Sequence, residues 1–485
     1  MKILILQLAR LGDIYMSWPA MRALRRKFPE AEIHLLTRPR FEAAVEGLQA
    51  VNYHWSLPSS HILSPLVQEE ADLEKALARI DETVTDLKKH NFDQIINFTF
   101  SPFSSYLTHA LTGEDTQVVG YTRHHDGTFA FADEVSAYFY AQVGIEKSNR
   151  VHLADIFASM VDVQYIEEDW AAPFIPNRDL SLPENYVAVH IGASENHKSL
   201  SPTQWGDTLK YMAEQMPQMQ FVLIGAGSEK DQAAWIRTLV PESHIVDLVG
   251  QTQISDLFQV LQKAQLLIGG DSAPMHMASL TDTPSLNVSV GNVNFWETGP
   301  KASLSFILRA NTEADVHSDR LGEIAVQLLQ GKLSEELIIR APGMTSYECQ
   351  ETAQDRFQWD LIQAIYMNGA YPLADRMELI QGAMKLDEIN TFASEQLAQV
   401  PRKGVAAVAP YLERAEEIIE SISRIVPELN PLINWYHAEK VRIGPASQED
   451  VLAATLSVHQ ALGKHLRVYI PHENLMEEGV GDGTL

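Results

Sequence analysis

The chain has 485 residues, 45% of them apolar and 21% charged, a length suited to about three domains of ordinary size. Its formal charge of −27 argues against a nucleic-acid coat, which needs a basic footprint. The acidic excess is spread along the whole chain and reads as solvated surface. The single cysteine, Cys349, excludes an internal disulfide or a multi-cysteine metal site and fits a reducing compartment.

The opening run MKILILQLAR is too short for a signal-peptide core and no small-residue cleavage site follows it. No stretch approaches the roughly 18 apolar residues of a membrane helix. These features predict a cytoplasmic protein, with room for a peripheral membrane contact.

Short β-type runs follow at Lys2–Leu8, Glu32–Leu36, Asp93–Asn97, Tyr186–His190, Phe221–Ile224, His244–Leu248, Leu266–Gly269 and Ser285–Val290. Helical patterns separate them, among them Ile14–Phe28, Thr203–Gln215, Glu229–Leu239, Ile254–Ala264 and Ser318–Gln330. Strands alternating with helices of this length predict an α/β fold with parallel sheets. The proline-bearing stretch Trp170–Pro183 reads as a linker, so residues 1–170 and 171–344 form two α/β domains. Residues 345–485 read as a helical extension: Thr352–Met367, Leu373–Met384, Asp387–Gln399, Val405–Ile425, Leu432–Val441 and Gln448–Leu466.

Five strand-to-helix turns carry polar chemistry. In Leu8-Ala9-Arg10-Leu11-Gly12-Asp13, one carboxylate stands at the carboxyl end of the first strand, where doubly wound sheets bind ligands. Asp13 there suits a general base; aspartate equally serves as a helix N-cap. The turn His190-Ile191-Gly192-Ala193-Ser194, with Lys198 after it, offers a hydroxyl and a point charge to phosphate oxygens. In Gly225-Ala226-Gly227-Ser228-Glu229, Glu229, with Asp231 as second choice, suits ribose hydroxyls; it also suits the helix dipole.

The sharpest turn is Gly269-Gly270-Asp271-Ser272-Ala273-Pro274-Met275-His276. Two glycines end a strand, and Pro274 opens a helix whose free N–H groups suit a diphosphate. Asp271 beside phosphate would repel it, so it should face sugar hydroxyls. His276, one turn in, is placed to donate to phosphate; a satisfied core histidine is the plain alternative. The segment Gly291–Pro300 is polar and glycine-flanked, suited to closing a cleft or to forming a surface loop.

Taken in order, LARLGDIYMSWPAMRALRRKFPEAEIHLLTRPRF, VHIGAS with Lys198, LIGAGSEKD and LLIGGDSAPMHMASLTDTPSLNVSVGNVNFWETGP resemble glycosyltransferase family 9, the ADP-heptose lipopolysaccharide heptosyltransferases. The resemblance covers residues 1–330. It implies the GT-B architecture, two Rossmann-like domains facing a cleft: an acceptor domain over 1–170 and a sugar-nucleotide domain over 171–344. It also implies an inverting, metal-independent transfer of heptose or a related sugar from a nucleotide donor, ADP-heptose, to a cell-envelope glycan such as lipopolysaccharide core. No cofactor is implied beyond the substrate itself.

By matching positions, Asp13 is the implied base and Lys198 the cation on the leaving diphosphate. Ser194, Glu229, Asp271, Ser272, Ala273 and His276 are the implied donor-binding set. The chain has Ser272-Ala273 where the family has Thr-Gly, and the helical extension has no counterpart in the family pattern. An anionic acceptor approaching so acidic a chain needs a local basic patch, for which Arg38, Arg40 and Arg123 are candidates, with Arg22, Arg25 and Arg26 more remote ones. The site then lies at the cytoplasmic face of the inner membrane, with a glycolipid acceptor and no nucleic acid as partner. The competing reading is a non-catalytic GT-B-like scaffold whose helices recruit a partner. A nicotinamide oxidoreductase is disfavoured because no G-x-G-x-x-G follows the first strand.

Overall fold

A computed structural model describes residues 1–192, 199–332, 338–341, 344–347 and 352–470. The N-terminal run forms β1 (Lys2–Leu6), followed by β2 (Glu32–Thr37), β3 (Tyr53–Ser56), β4 (Gln94–Asn97) and β5 (Gln117–Arg123). Ile3 to Leu6 are fully buried, as a strand covered on both faces requires. The parallel order is β3-β2-β1-β4-β5, with Leu6 level with Leu36 on one side and Asn97 on the other.

The sequence pattern predicts β1, β2 and β4 but misses β3 and β5. β3 is a four-residue edge strand, largely exposed, so its burial leaves no alternation to read. β5 is interrupted by Gly120 at φ +101°, where a Cβ would come within 2.4 Å of Asn97 O. Only glycine fits there, and it disguises the strand. The short β6 (Phe129–Phe131) follows.

The second sheet contains β7 (Tyr186–His190), β8 (Gln220–Ile224), β9 (Ile245–Asp247), β10 (Leu266–Gly270), β11 (Ser285–Val290), β12 (Ser305–Ala310), β13 (Ile338–Ala341) and β14 (Met344–Tyr347). Its order is β13-β14-β12-β11-β10-β7-β8-β9, with one antiparallel pair, β13 with β14. The apolar stripes of the flanking helices Pro202–Gln215 and Ser318–Leu329 close a core of Val187, Leu209, Phe221, Ile268 and Leu321.

The two sheets share one topological device. In the first, the chain runs from β1 out to β3 and returns to β4 beside β1. In the second, it runs from β7 out to β9 and returns to β10 beside β7. Each reversal opens a crevice at the carboxyl ends of the central strands. The Leu8–Asp13 turn follows β1, and the Gly269–Ala273 turn follows β10. Both sharp motifs therefore stand at switch points.

The chain divides into two compact units, one holding Met1–Thr122 with Arg150–Gln350, the other Arg123–Asn149 with Glu351–Leu485. Strands β1 to β5, up to Thr122, and the second sheet belong to the first unit. The second is helical: Glu134–Gln142, Ala353–Tyr366, Met377–Leu397, Val405–Ile425, Asn430–Val441 and Gln448–Leu466 surround Leu361, Leu386, Ile419, Leu432 and Leu466. Sequence periodicity splits Met377–Leu397 into two helices, but the structure shows one. Gly382 is kept there because a methyl would lie 2.8 Å from Val426 Cγ2, so its cost in helix propensity is offset by close packing. Among the described residues, no helix is long and apolar enough to cross a membrane.

Candidate functional site

The turn after β1 is held from below. Gln7 is fully buried; its Oε1 accepts from the Ala9 amide at 3.3 Å and its Nε2 donates to Asp13 O at 3.4 Å. The Leu8 amide donates to Thr99 Oγ1 at 2.6 Å, tying this turn to the loop after β4. Asp13 is the third residue of the helix Leu11–Lys27, and its Oδ2 accepts from the Arg10 amide at 2.8 Å. The side chain thus does fill a capping role, from inside the first turn. It also lies in a crowded position: desolvation raises its pKa above the usual carboxylate value, against the lowering pull of Arg10 and Arg38. A carboxylate kept more basic than normal is what proton abstraction from a hydroxyl asks for.

Across the crevice, the helix Ala273–Thr281 begins at Ser272 with no side-chain hydrogen bond capping it. The Ser272 hydroxyl instead donates to Gly270 O at 3.1 Å and meets His190 Nδ1 at 3.0 Å. With the hydroxyl proton on Gly270 O, His190 donates from Nδ1. Burial holds His190 at a pKa of about 4, so the ring is neutral at pH 7. Pro274 has no N–H and the Met275 amide donates to Ser272 O at 3.0 Å, so the amide this helix start offers to an anion is that of Ala273. Asp271 Oδ1 accepts from Thr298 Oγ1 at 3.1 Å, in the polar, glycine-flanked segment Gly291–Pro300.

His276 joins the two sides. It is 6% exposed, and burial lowers its pKa to about 4. A methyl on Gly12 would lie 2.6 Å from His276 Cδ2 and 3.8 Å from Ala273 Cα. The turn that carries Asp13 in the first α/β domain therefore touches the helix Ala273–Thr281 of the second. Tyr15 and Trp18, from the same helix as Asp13, pack on Phe258 with ring centroids 5.6 and 5.8 Å away.

Glu229 has its own seat. Its carboxylate accepts from the Ala226 amide and occupies the space a Cβ would take on Gly192 or Gly225, 2.7 Å away in each case. Two glycines at the ends of neighbouring strands β7 and β8 make that room. Asp231 is exposed in the first turn of the next helix. Ser194 and Lys198 lie outside the described residues.

Arg38 and Arg40 flank the Phe41 ring at 5.1 and 5.7 Å, and Arg38 donates to Ala9 O at 3.1 Å, beside the Asp13 turn. Arg123 belongs to the helical unit, where its guanidinium lies over Phe129 and donates to Gly127 O at 3.3 Å. The arginines farther along the Asp13 helix hold structure instead. Arg22 donates to Asp169 O and Ala171 O, Arg25 to Ala31 O and Ala50 O, and Arg26 pairs with Asp169.

Sequence reasoning missed His152, Thr298 and the packing role of Gly12. His152 carries no motif. Gly12 looks in the sequence like part of a turn, although a glycine beside a candidate base is itself a signal of close approach.

A family model described as "Glycosyltransferase family 9 (heptosyltransferase)" matches residues 82–320. "Lipopolysaccharide heptosyltransferase 1" of Campylobacter coli is 18% identical over 308 residues, 59% of this chain and 83% of that protein. "Lipopolysaccharide heptosyltransferase 3" of Escherichia coli (strain K12) is 19% identical over 284 residues, 57% of this chain and 79% of that protein. The solved structure "E. coli heptosyltransferase WaaC with ADP" superposes with a TM-score of 0.51 at 14% identity, covering 69% of this chain and 100% of that one. "Structure of E. coli ADP-heptose lps heptosyltransferase II" does so at 0.50 and 15%, again over 69% and 100%. The fold of the two parallel α/β domains is thus that of GT-B heptosyltransferases, with a helical extension added.

Proposed function

We propose that this chain, a glycosyltransferase of the heptosyltransferase-like family 9 type, transfers heptose or a related sugar from ADP-heptose to a cell-envelope glycan such as lipopolysaccharide core, with inversion and without a metal. The observation that carries the reading is the meeting of Gly12 with His276, which sets the Asp13 turn opposite the uncapped helix N-terminus.

Asp13 takes the proton of the acceptor hydroxyl as its oxygen attacks the anomeric carbon. The bond from that carbon to the diphosphate breaks, and ADP leaves with the electron pair. Charge growing on the diphosphate is met by the Ala273 N–H dipole at the helix start and by the charge of Lys198. Glu229 holds ribose hydroxyls, Asp271 faces sugar hydroxyls, and Ser194, Ser272 and His276 complete the donor site. A neutral His276 donates to phosphate without adding a charge.

Arg38 and Arg40, beside the Asp13 turn, are the acceptor contacts, and Arg123 is a further candidate by its charge. The enzyme then works in the cytoplasm, touching the cytoplasmic face of the inner membrane at its glycolipid acceptor. The test is transfer from ADP-heptose to an envelope-glycan extract, followed by mass spectrometry. Wild type should add one heptose, and Asp13→Asn should cut the rate by about 10²–10⁴, the range of general-base catalysis. ADP binding with no transfer by wild type would instead favour the scaffold reading.

A further inference from the structure

Two segments of the first unit meet rung by rung. The Arg150 guanidinium lies 5.2 Å above the Trp296 ring. His152 accepts from the Ala154 amide on Nδ1 at 3.1 Å, which leaves its Nε2–H to donate to Gly299 O at 2.9 Å. Lys301 Nζ reaches both oxygens of Asp155 at 2.8 Å. Residues 150, 152 and 155 thus meet 296, 299 and 301 in order.

The strap is built to persist. His152 is 6% exposed, and burial, reinforced by Lys301, keeps its ring neutral, with a pKa well below the usual value. Lys301 is also boxed by the Tyr165 and Trp170 rings, each 5.7 Å away. Its backbone amide donates to Ser279 Oγ at 2.8 Å, which fastens the strap to the helix Ala273–Thr281. Thr298, between the first and second rungs in sequence, donates from its hydroxyl to the Asp271 carboxylate.

We propose that this strap is a positioning device for the donor site: residues 150–155 of the first α/β domain fix the 296–301 segment, and Thr298 within it aims Asp271 at the sugar. His152, Thr298 and Lys301 are positioning residues. Donor affinity is then linked to the seating of one α/β domain on the other, since loosening the strap draws the Thr298 hydroxyl away from the Asp271 carboxylate. The donor part of this inference rests on the function proposed above.

Two variants test it. Thr298→Val keeps shape and removes the hydroxyl. Lys301→Met keeps the stem and leaves Asp155, 36% exposed, free to hydrate, so the fold survives. Thr298→Val should raise KM for ADP-heptose about tenfold, as loss of a hydrogen bond to a charged group does, with smaller change in kcat and unaltered inhibition by ADP, which lacks the sugar. Lys301→Met, distant from the sugar, should raise KM in the same way. In the ligand-free protein it should also speed amide hydrogen exchange both at 294–301 and at 270–273.

An unmoved KM in Thr298→Val, or faster exchange at 294–301 with none at 270–273, overturns the strap. If wild type neither binds nor uses ADP-heptose, the donor assignment fails on its own, and the exchange experiment still decides whether the strap controls Asp271.

Discussion

Asp13 accepts the Arg10 amide at 2.8 Å while desolvation pushes its pKa up. These two facts set opposite demands on the same side chain. A carboxyl whose pKa is higher folded than unfolded binds more protons in the native state, so its burial lowers stability as pH rises through that window. At pH 7 the ionised form is buried at a cost, and below the unfolded value of about 4 the cost vanishes. Asn keeps an oxygen for the Arg10 amide and carries no charge. Asp13→Asn should therefore melt no lower than wild type at pH 7, and by a small margin higher, with the margin closing toward pH 4; thermal scans across that range check it. With Asp13 as the proposed base, function and stability pull apart at this residue. The same pKa governs the acid limb of the rate profile, because only ionised Asp13 can take a proton. Arg38 lowers that pKa, so Arg38→Ala should move the limb upward by about half a pH unit, the reach of an exposed, screened cation. A limb that stays in place or moves down would separate Asp13 from the rate.

The helices Leu11–Lys27 and Ala273–Thr281 approach so closely that Gly12 has no room for a methyl against His276. Gly12 is helical, so alanine there should gain about 0.5–1 kcal/mol of helix propensity and lose more to the clash. Gly12→Ala is expected to lower kcat by about 10- to 100-fold, the scale on which an ångström of misplacement acts, with its helix intact by circular dichroism. Adding His276→Ala removes the clashing ring. The double variant should then be less destabilised than the two single changes summed, which denaturant titrations read directly. Additive effects would mean that the two residues do not press on each other in solution. The contrast also shows what a sequence can carry. The strand-to-helix turns at Asp13, Glu229 and Asp271 were legible because glycines and carboxylates cluster at strand ends, where topology puts ligands. β5 was not, since Gly120 breaks its pattern for a packing reason that lies in Asn97, 23 residues away by number. The Thr298–Asp271 bond and the His152–Gly299 bond were equally out of reach, because neither partner announces the other in a local window.

At the scale of the whole chain, the helical unit is more than an appendage of the C-terminus. It takes in Arg123–Asn149, a segment that leaves the first α/β domain after β5 and comes back to it at residue 150. The joining contacts are internal to the unit. Gln142, 1% exposed, donates to Pro431 O at 2.9 Å; Tyr138 packs edge-on against Tyr366 with ring centroids 4.9 Å apart; Ser148 Oγ donates to Gln358 Oε1 at 2.5 Å. Buried Ala137, Tyr138 and Ala141 have their cover in the C-terminal helices, and a helix of nine residues is too short to hold by itself in water. A chain ending at residue 350 would therefore leave 123–149 without its partners. Such a chain should be cut by a nonspecific protease within 123–149 under conditions where the full chain resists there, and it should bind a hydrophobic dye that the full chain does not. The β1–β4 strands, which keep their own core of Leu4, Leu6, Leu36 and Ile95, should remain protected in both. Equal resistance of 123–149 in the two chains would mean that the segment folds on the first unit and that the helices after residue 350 are dispensable for it. The distinction matters for any assay of the extension, because its simple removal would also unfold residues 123–149 of the same unit, so lost transfer would not by itself assign acceptor binding to the helices after residue 350.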